Sequence, residues 1–172
     1  MEMFYYIQYR SVIFMNQWTT QLPDIAITNP ILKAWITDPA STTKKFKAAG
    51  IHASYHIQSD PITSDIVWKD FLSGHPISRT VEIKIMKHTF MHASSFISAK
   101  QEIKDKIQTL NSQPLGTVLF SEKDLIRSNF LYSMGPKQTI QRISKFKSPN
   151  LKCILIEAFN LNHPLFCETP HG

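Results

Sequence analysis

Two cysteines in 172 residues, Cys153 and Cys167, are too few and too far apart for a disulfide framework or a structural zinc site. They fit a reducing compartment. Glycine is scarce, at five residues, and charged residues make up only 19% of the chain, which sets aside collagen-like and disordered classes; no fixed-period repeat is visible either. No run reaches the roughly 18 to 20 apolar residues that a membrane span requires. The opening MEMFYYIQYRSVIFM is interrupted by Gln8, Tyr9 and Arg10 and has neither a basic leader nor a small-residue cleavage site. It is not read as a signal peptide, and a cytoplasmic protein with no membrane span is expected. Also missing are HExxH, HxH, GxSxG, the P-loop and GxGxxG, and neither cysteine has a neighbouring base. The seven histidines offer no convergent set of three or four ligands. No metal and no cofactor are expected.

What is present points to a globular protein. With 42% hydrophobic residues, the length suits one compact domain spanning 1–172, with 1–33 as a covering segment. The formal net charge of +6 would suit nucleic acid, an anionic membrane or an anionic metabolite. The basic residues are dispersed, with only Lys44, Lys45, Lys47 and Lys145, Lys147, Lys152 in loose groups, and no aromatic stacking motif accompanies them. Solvated faces are therefore expected in place of a nucleic-acid footprint, leaving a mild field compatible with an anionic small molecule.

Periodicity predicts an α+β fold. Thr42 to Ala49, with Ser41 as N-cap and Gly50 as terminator, reads as a short basic helix. Ile51, Ala53, Tyr55 and Ile57 alternate with polar residues as in a half-buried strand. Residues 59–78 read as a loop containing one helix, a candidate lid. Arg79 to His88 is the clearest strand, with Val81, Ile83 and Ile85 alternating; Phe90 to Ile97 is its hairpin partner. Ser98 then caps a helix striped by Ile103, Ile107 and Leu110. After the Pro114, Leu115, Gly116 turn come a short strand to Phe120, a helical turn around Asp124 to Arg127, and strands near 129–133 and 139–147. Lys152 to Leu161 is nearly all apolar, as a strand covered on both faces should be. The sum is a six-stranded antiparallel sheet with helices grouped to one side.

Two charges interrupt the apolar strand faces. Glu157 shares a face with Leu155 and Phe159, and Arg79 shares one with Val81 and Ile83. Burying a carboxylate costs several kcal/mol unless it is paired, so a partner for Glu157 is expected, and Arg79 is the candidate. An internal ion pair that fixes strand register and a ligand site are equally compatible with this pattern. The Pro114, Leu115, Gly116 turn is common in proteins and becomes informative only in company.

Four segments, taken in order over residues 34 to 166, resemble the chorismate–pyruvate lyase family. They are Ala34 to Asp38 with Ser41 to Phe46; Ser78 and Arg79 with the strand that follows; Gln113 to Phe120 with Leu125 and Arg127; and Ile154 to Phe159 with His163 to Phe166. The resemblance implies a six-stranded antiparallel sheet with helical flaps covering an internal ligand cavity, and a cofactor-free lyase converting chorismate to 4-hydroxybenzoate and pyruvate on the way to ubiquinone. It also implies that Arg79 and Glu157 serve as catalytic residues and that Thr42, Arg79, Leu115 and Glu157 bind substrate, in a protein expected to be monomeric. Thr42 stands where the family has a ligand-contacting methionine, Ser94 where some members have arginine, and residues 87–90 replace the family's Gly-x-Pro-Trp turn. The alternative is a non-catalytic sensor of small aromatic acids with the same architecture. The roughly 30 residues ahead of the matching region are fewer than the helix-turn-helix domain such sensors carry on the usual domain scale, which favours the enzyme.

Overall fold

Alternation of apolar and polar residues organises most of the chain into one antiparallel sheet. The computed structural model describes residues 18–58, 69–111 and 113–167. Its strands are β1 (Ala53–Gln58), β2 (Ile77–Ile85), β3 (His88–Ala99), β4 (Ile126–Arg127), β5 (Leu131–Gly135), β6 (Thr139–Ser148) and β7 (Leu151–Asn160). They lie in the order β1-β2-β3-β7-β6-β4, with β5 also paired to β6. Short helices flank them: α1 (Asp24–Ile27), α2 (Pro30–Thr37), α3 (Thr42–Ala48), α4 (Gln101–Gln108), α5 (Gly116–Leu119) and α6 (Pro164–Cys167), with a 3-10 turn at Lys69–Phe71. The class is α+β, as expected. The sheet has seven strands instead of six because two short strands, β4 and β5, share the outer edge of β6. No helix among the described residues is long and apolar enough to cross a membrane.

Local chemistry explains the element boundaries. Asn29 caps α2, its side chain accepting from the Leu32 N–H at 3.1 Å with Pro30 at the first helical position. Asp38 ends that helix in an extended conformation, because the following Pro39 disfavours the helical one. Gly50, at φ +67°, closes α3. The β2–β3 hairpin turns on Met86 and Lys87, both at positive φ, the geometry that matches the twist of two antiparallel strands.

Several expectations are corrected. Residues 116–119 form α5 and not a strand: Leu119 N–H bonds back to the Leu115 carbonyl, and the buried Val118 and Leu119 pack beside α4. Around Asp124 to Arg127 there is no helical turn: Asp124, at φ 58°, lies in a turn, and Ile126–Arg127 is β4. Ser98 does not cap α4; its hydroxyl is tied to the main chain of Ser73, and Lys100 occupies the cap position. Ser41 sits at the cap position of α3 without a side-chain cap bond. The candidate lid falls largely on 59–68, outside the described residues, as do 1–17 of the covering segment.

β7 lies between β3 and β6 and is covered on both faces, which accounts for its apolar sequence. One face, through Ile154, joins Phe96, Ile143, Phe71 and Leu72. On the other face the helices gather two clusters. The first joins α2, α3 and the sheet through Leu32, Ile36, Phe46, Phe90 and Phe159; the second joins α4 and α5 to Ile97, Cys153 and Phe146. Between these clusters the sheet face changes character.

Candidate ligand-binding site

Strand register defines the floor of the site. Val81, Ala93, Glu157 and Arg142 stand in one row across β2, β3, β7 and β6, and Arg79, Ser95, Leu155 and Ser144 in the next. Period 2 puts both rows on the helical face of the sheet. Ala93 and Ser95 are small, so β3 contributes little volume where its neighbours carry long side chains. The result is a pocket of about 90 Å³, several times the 10–15 Å³ or so that one water occupies on a comparable measure. Its walls are mostly apolar, including Ile83, Met91, Leu119 and Phe146; the Gln113 to Gly116 turn and the start of α3 close two sides. A Cβ on Gly116 would lie 3.3 Å from the ring of Phe120, a tight contact that this half-exposed side chain would have to ease.

The charged lining residues are Arg79, Arg127, Arg142 and Glu157. Glu157 is buried, and its partner is Arg142, not Arg79. Arg142 Nε donates to Glu157 Oε1 at 2.8 Å and an Nη donates to Oε2 at 3.2 Å. The two residues face each other directly across β6 and β7, whereas Arg79 is two strands from β7 and one row away. The remaining Nη of Arg142 donates to the main-chain carbonyls of Trp35, Ile36 and Asp38 at 3.3, 2.9 and 3.0 Å, satisfying the open end of α2. Thr42 Oγ1 donates to Glu157 Oε2 at 3.1 Å. Both charges of the pair thus have several hydrogen-bond partners, the condition under which a buried ion pair is tolerated.

Arg79 and Arg127 are held differently. Arg79 donates to the carbonyls of Asn111, at 2.8 Å, and Gln113. Arg127 donates to the Pro39 carbonyl and lies over the rings of Phe130 and Phe146, at 4.6 and 5.0 Å from the centroids. Neither makes a salt bridge among the described residues. Burial lowers the pKa of each, and the Arg142 charge lowers that of Arg127 further, although a guanidinium remains a cation throughout the neutral range. Arg127 Nε is buried with no hydrogen-bond partner among the described residues.

Four residues singled out from sequence, Thr42, Arg79, Leu115 and Glu157, all line this one pocket. Ser94 does not: it lies on the opposite face, with its hydroxyl 3.1 Å from that of Thr80, and forms no part of the pocket wall. Arg142 escaped notice although the signal that exposed Arg79 and Glu157 applies to it, since Ile140, Arg142 and Phe146 alternate onto one face of β6. Arg127 sits on a two-residue strand too short for any periodicity. Burial pushes the Cys153 thiol up to about 12, leaving it inert as a nucleophile. No group of three or more His, Cys, Asp or Glu among the described residues is arranged to hold a metal. No protein-family model matches the chain, and no curated protein is significantly similar to it.

Proposed function

We propose that this pocket binds a small aromatic acid and that the protein is a lyase converting chorismate to 4-hydroxybenzoate and pyruvate, the first step toward ubiquinone. The observation that carries this reading is three guanidinium groups and one carboxylate around an apolar pocket. That leaves two positive charges to be matched by a ligand, and chorismate is a dianion with a carbocyclic body. The order of segments resembling chorismate–pyruvate lyases supports the same choice.

In the reaction the ether bond between the ring and the enolpyruvyl oxygen breaks, and the adjacent ring carbon bearing the hydroxyl loses its hydrogen as a proton. The C–H electron pair completes the aromatic ring, the ether pair leaves on the departing oxygen, and enolpyruvate takes up a proton to become pyruvate. No cofactor is required. Arg79, fixed by two main-chain carbonyls, orients a carboxylate and stabilises developing negative charge without reorganising. Glu157, steadied by Arg142 and Thr42, accepts a hydrogen bond from the ring hydroxyl, and the Leu115 N–H is a further donor at the open start of α5. The elements bearing Thr42 and Leu115, α3 and α5, act as the helical flaps over an internal cavity, excluding water and slowing product release.

A second reading is a non-catalytic sensor of aromatic acids, which the commitment of Glu157 to Arg142 favours. Incubating purified protein with chorismate, while following hydroxybenzoate absorbance and pyruvate by a coupled dehydrogenase, separates the two. Equal release of both products is expected. Tight 4-hydroxybenzoate binding without turnover would make the protein a sensor, and neither binding nor turnover would overturn both readings.

A further inference from the structure

We propose that Arg127 is a specificity-determining residue that receives a second carboxylate, so that the pocket selects aromatic or cyclohexadienyl ligands carrying two acidic groups at opposite ends over those carrying one. The inference rests on the reading of the pocket as an aromatic-acid site.

Three observations converge on it. The first is charge pairing: Glu157 is committed to Arg142, so the two pocket cations without a carboxylate among the described residues are Arg79 and Arg127. Both are held in place by main-chain carbonyls, which position a guanidinium without neutralising it. The second is placement. Arg79 lies on β2 and Arg127 on β4, four strand-to-strand steps apart in the sheet order; at about 4.8 Å per step their backbones are roughly 19 Å apart. Arg127 is paired with Phe146, whose ring lines the same pocket. The two side chains therefore enter the pocket from opposite sides, which sets one cation toward each end of a bound ring. The third is the state of Arg127 itself. It lines the pocket, where burial and the nearby like charge of Arg142 both disfavour its cation. An anionic group in the pocket would offset that repulsion, which a neutral ligand group would not. Phe130 and Phe146 hold the guanidinium plane in place, limiting the freedom lost on binding.

The test compares the wild type, Arg127→Gln and Arg127→Lys: affinity for 4-hydroxybenzoate, with one carboxylate, is read by titration calorimetry, and that for chorismate, with two, as kcat/KM from initial rates or, where no turnover occurs, by the same calorimetry. Thermal melts verify that each variant is folded. Arg127→Gln is expected to lower the ratio of chorismate to 4-hydroxybenzoate affinity by about tenfold or more, the range of one lost charge-assisted hydrogen bond. Arg127→Lys, which keeps the charge, is expected to restore part of that ratio. Equal weakening of both ligands would make Arg127 a purely structural residue and overturn the proposal, as would an unchanged ratio. If the wild type binds neither ligand, the aromatic-acid reading fails and the role of Arg127 fails with it; a wild type that binds both, with a ratio insensitive to Arg127, defeats this inference alone.

Discussion

Replacing Arg142 by Met should destabilise the protein far more than removing its contacts one by one would indicate. The substitution keeps a long unbranched side chain, so little of the loss comes from an empty volume. It strands the Glu157 carboxylate, buried among apolar side chains with only the Thr42 hydroxyl as donor. Breaking one partner of a buried pair costs about 3–5 kcal/mol. The carbonyls of Ile36 and Asp38 lose the Arg142 donor as well, Ile36 keeping only the long bond from the Tyr132 hydroxyl at 3.5 Å, adding about 1 kcal/mol each. A loss near 5 kcal/mol is comparable to the whole stability of many domains, about 5–15 kcal/mol. With a urea slope of about 2 kcal/mol/M, the unfolding midpoint should fall by more than roughly 2 M. The double variant Arg142→Met/Glu157→Leu removes both charges together and should recover most of the loss, since an apolar pair carries no desolvation penalty. Urea titrations of the wild type, both single variants and the double variant, followed by circular dichroism, give the coupling energy directly. A loss below about 1 kcal/mol for Arg142→Met, or a double variant less stable than either single, would refute this account of the pair.

Two further predictions concern chemistry and pH. Arg79→Ala should lower chorismate turnover by more than about tenfold while the melting temperature barely moves, because its hydrogen bonds run to the loop carbonyls of Asn111 and Gln113 and not to the core; steady-state kinetics beside thermal melts check this, and full activity would remove Arg79 from the site. His163 is buried; its Nε2 lies 3.0 Å from the Ile85 carbonyl, and its Nδ1 accepts from Leu165 N–H at 3.1 Å. Those partners fit the neutral ring protonated at Nε2, and burial, the largest effect, lowers its pKa. With the folded pKa below the unfolded value near 6.5, the unfolded chain binds the extra proton first. Its stabilising contribution should be complete above about pH 6.5 and decline as pH falls through the folded value; His163→Gln should flatten that slope in urea titrations between pH 7 and 5.

How far the structure could be read from the chain depended on the range of the determining interaction. Two-residue alternation foretold β1 and β2, since it records which side chains are covered, and a nearly all-apolar run foretold β7; β3, β5 and β6 also lie near their expected places. Local pattern failed at residues 117–120, where Thr-Val-Leu-Phe has strand-forming composition but the preceding turn and the apolar surface of α4 draw it into a helix. It also failed at β4, two residues long. The buried carboxylate was legible as an anomaly. Its partner was not, because partner choice depends on which strands are neighbours, and β6 comes to lie beside β7 through a hairpin whose register only the three-dimensional structure fixes. Asn29, Thr42 and Ser98 show the same limit for polar residues: each type bonds readily to nearby main chain, and which bond forms is decided by packing. The convergence of Thr42, Arg79, Leu115 and Glu157 on one pocket could be expected only from the resemblance, since they lie on four separate elements.

The divided outer edge of β6 bears on how molecules of this protein meet one another. An uninterrupted ten-residue edge would offer a foreign strand a long template of unpaired N–H and C=O groups. Here β4 and β5 cover it in pieces, and Thr19 exchanges two main-chain bonds with Tyr132 on the far side of β5, at 3.0 and 2.7 Å. The break between the pieces is where Arg127 and Phe130 turn inward, so the irregularity that equips the pocket also denies that border to self-association. Among the described residues the opposite border has no such interruption. β1 presents six residues in an unbroken run, with Ile57 exposed, and edge-to-edge aggregation on crowding or partial unfolding should begin there.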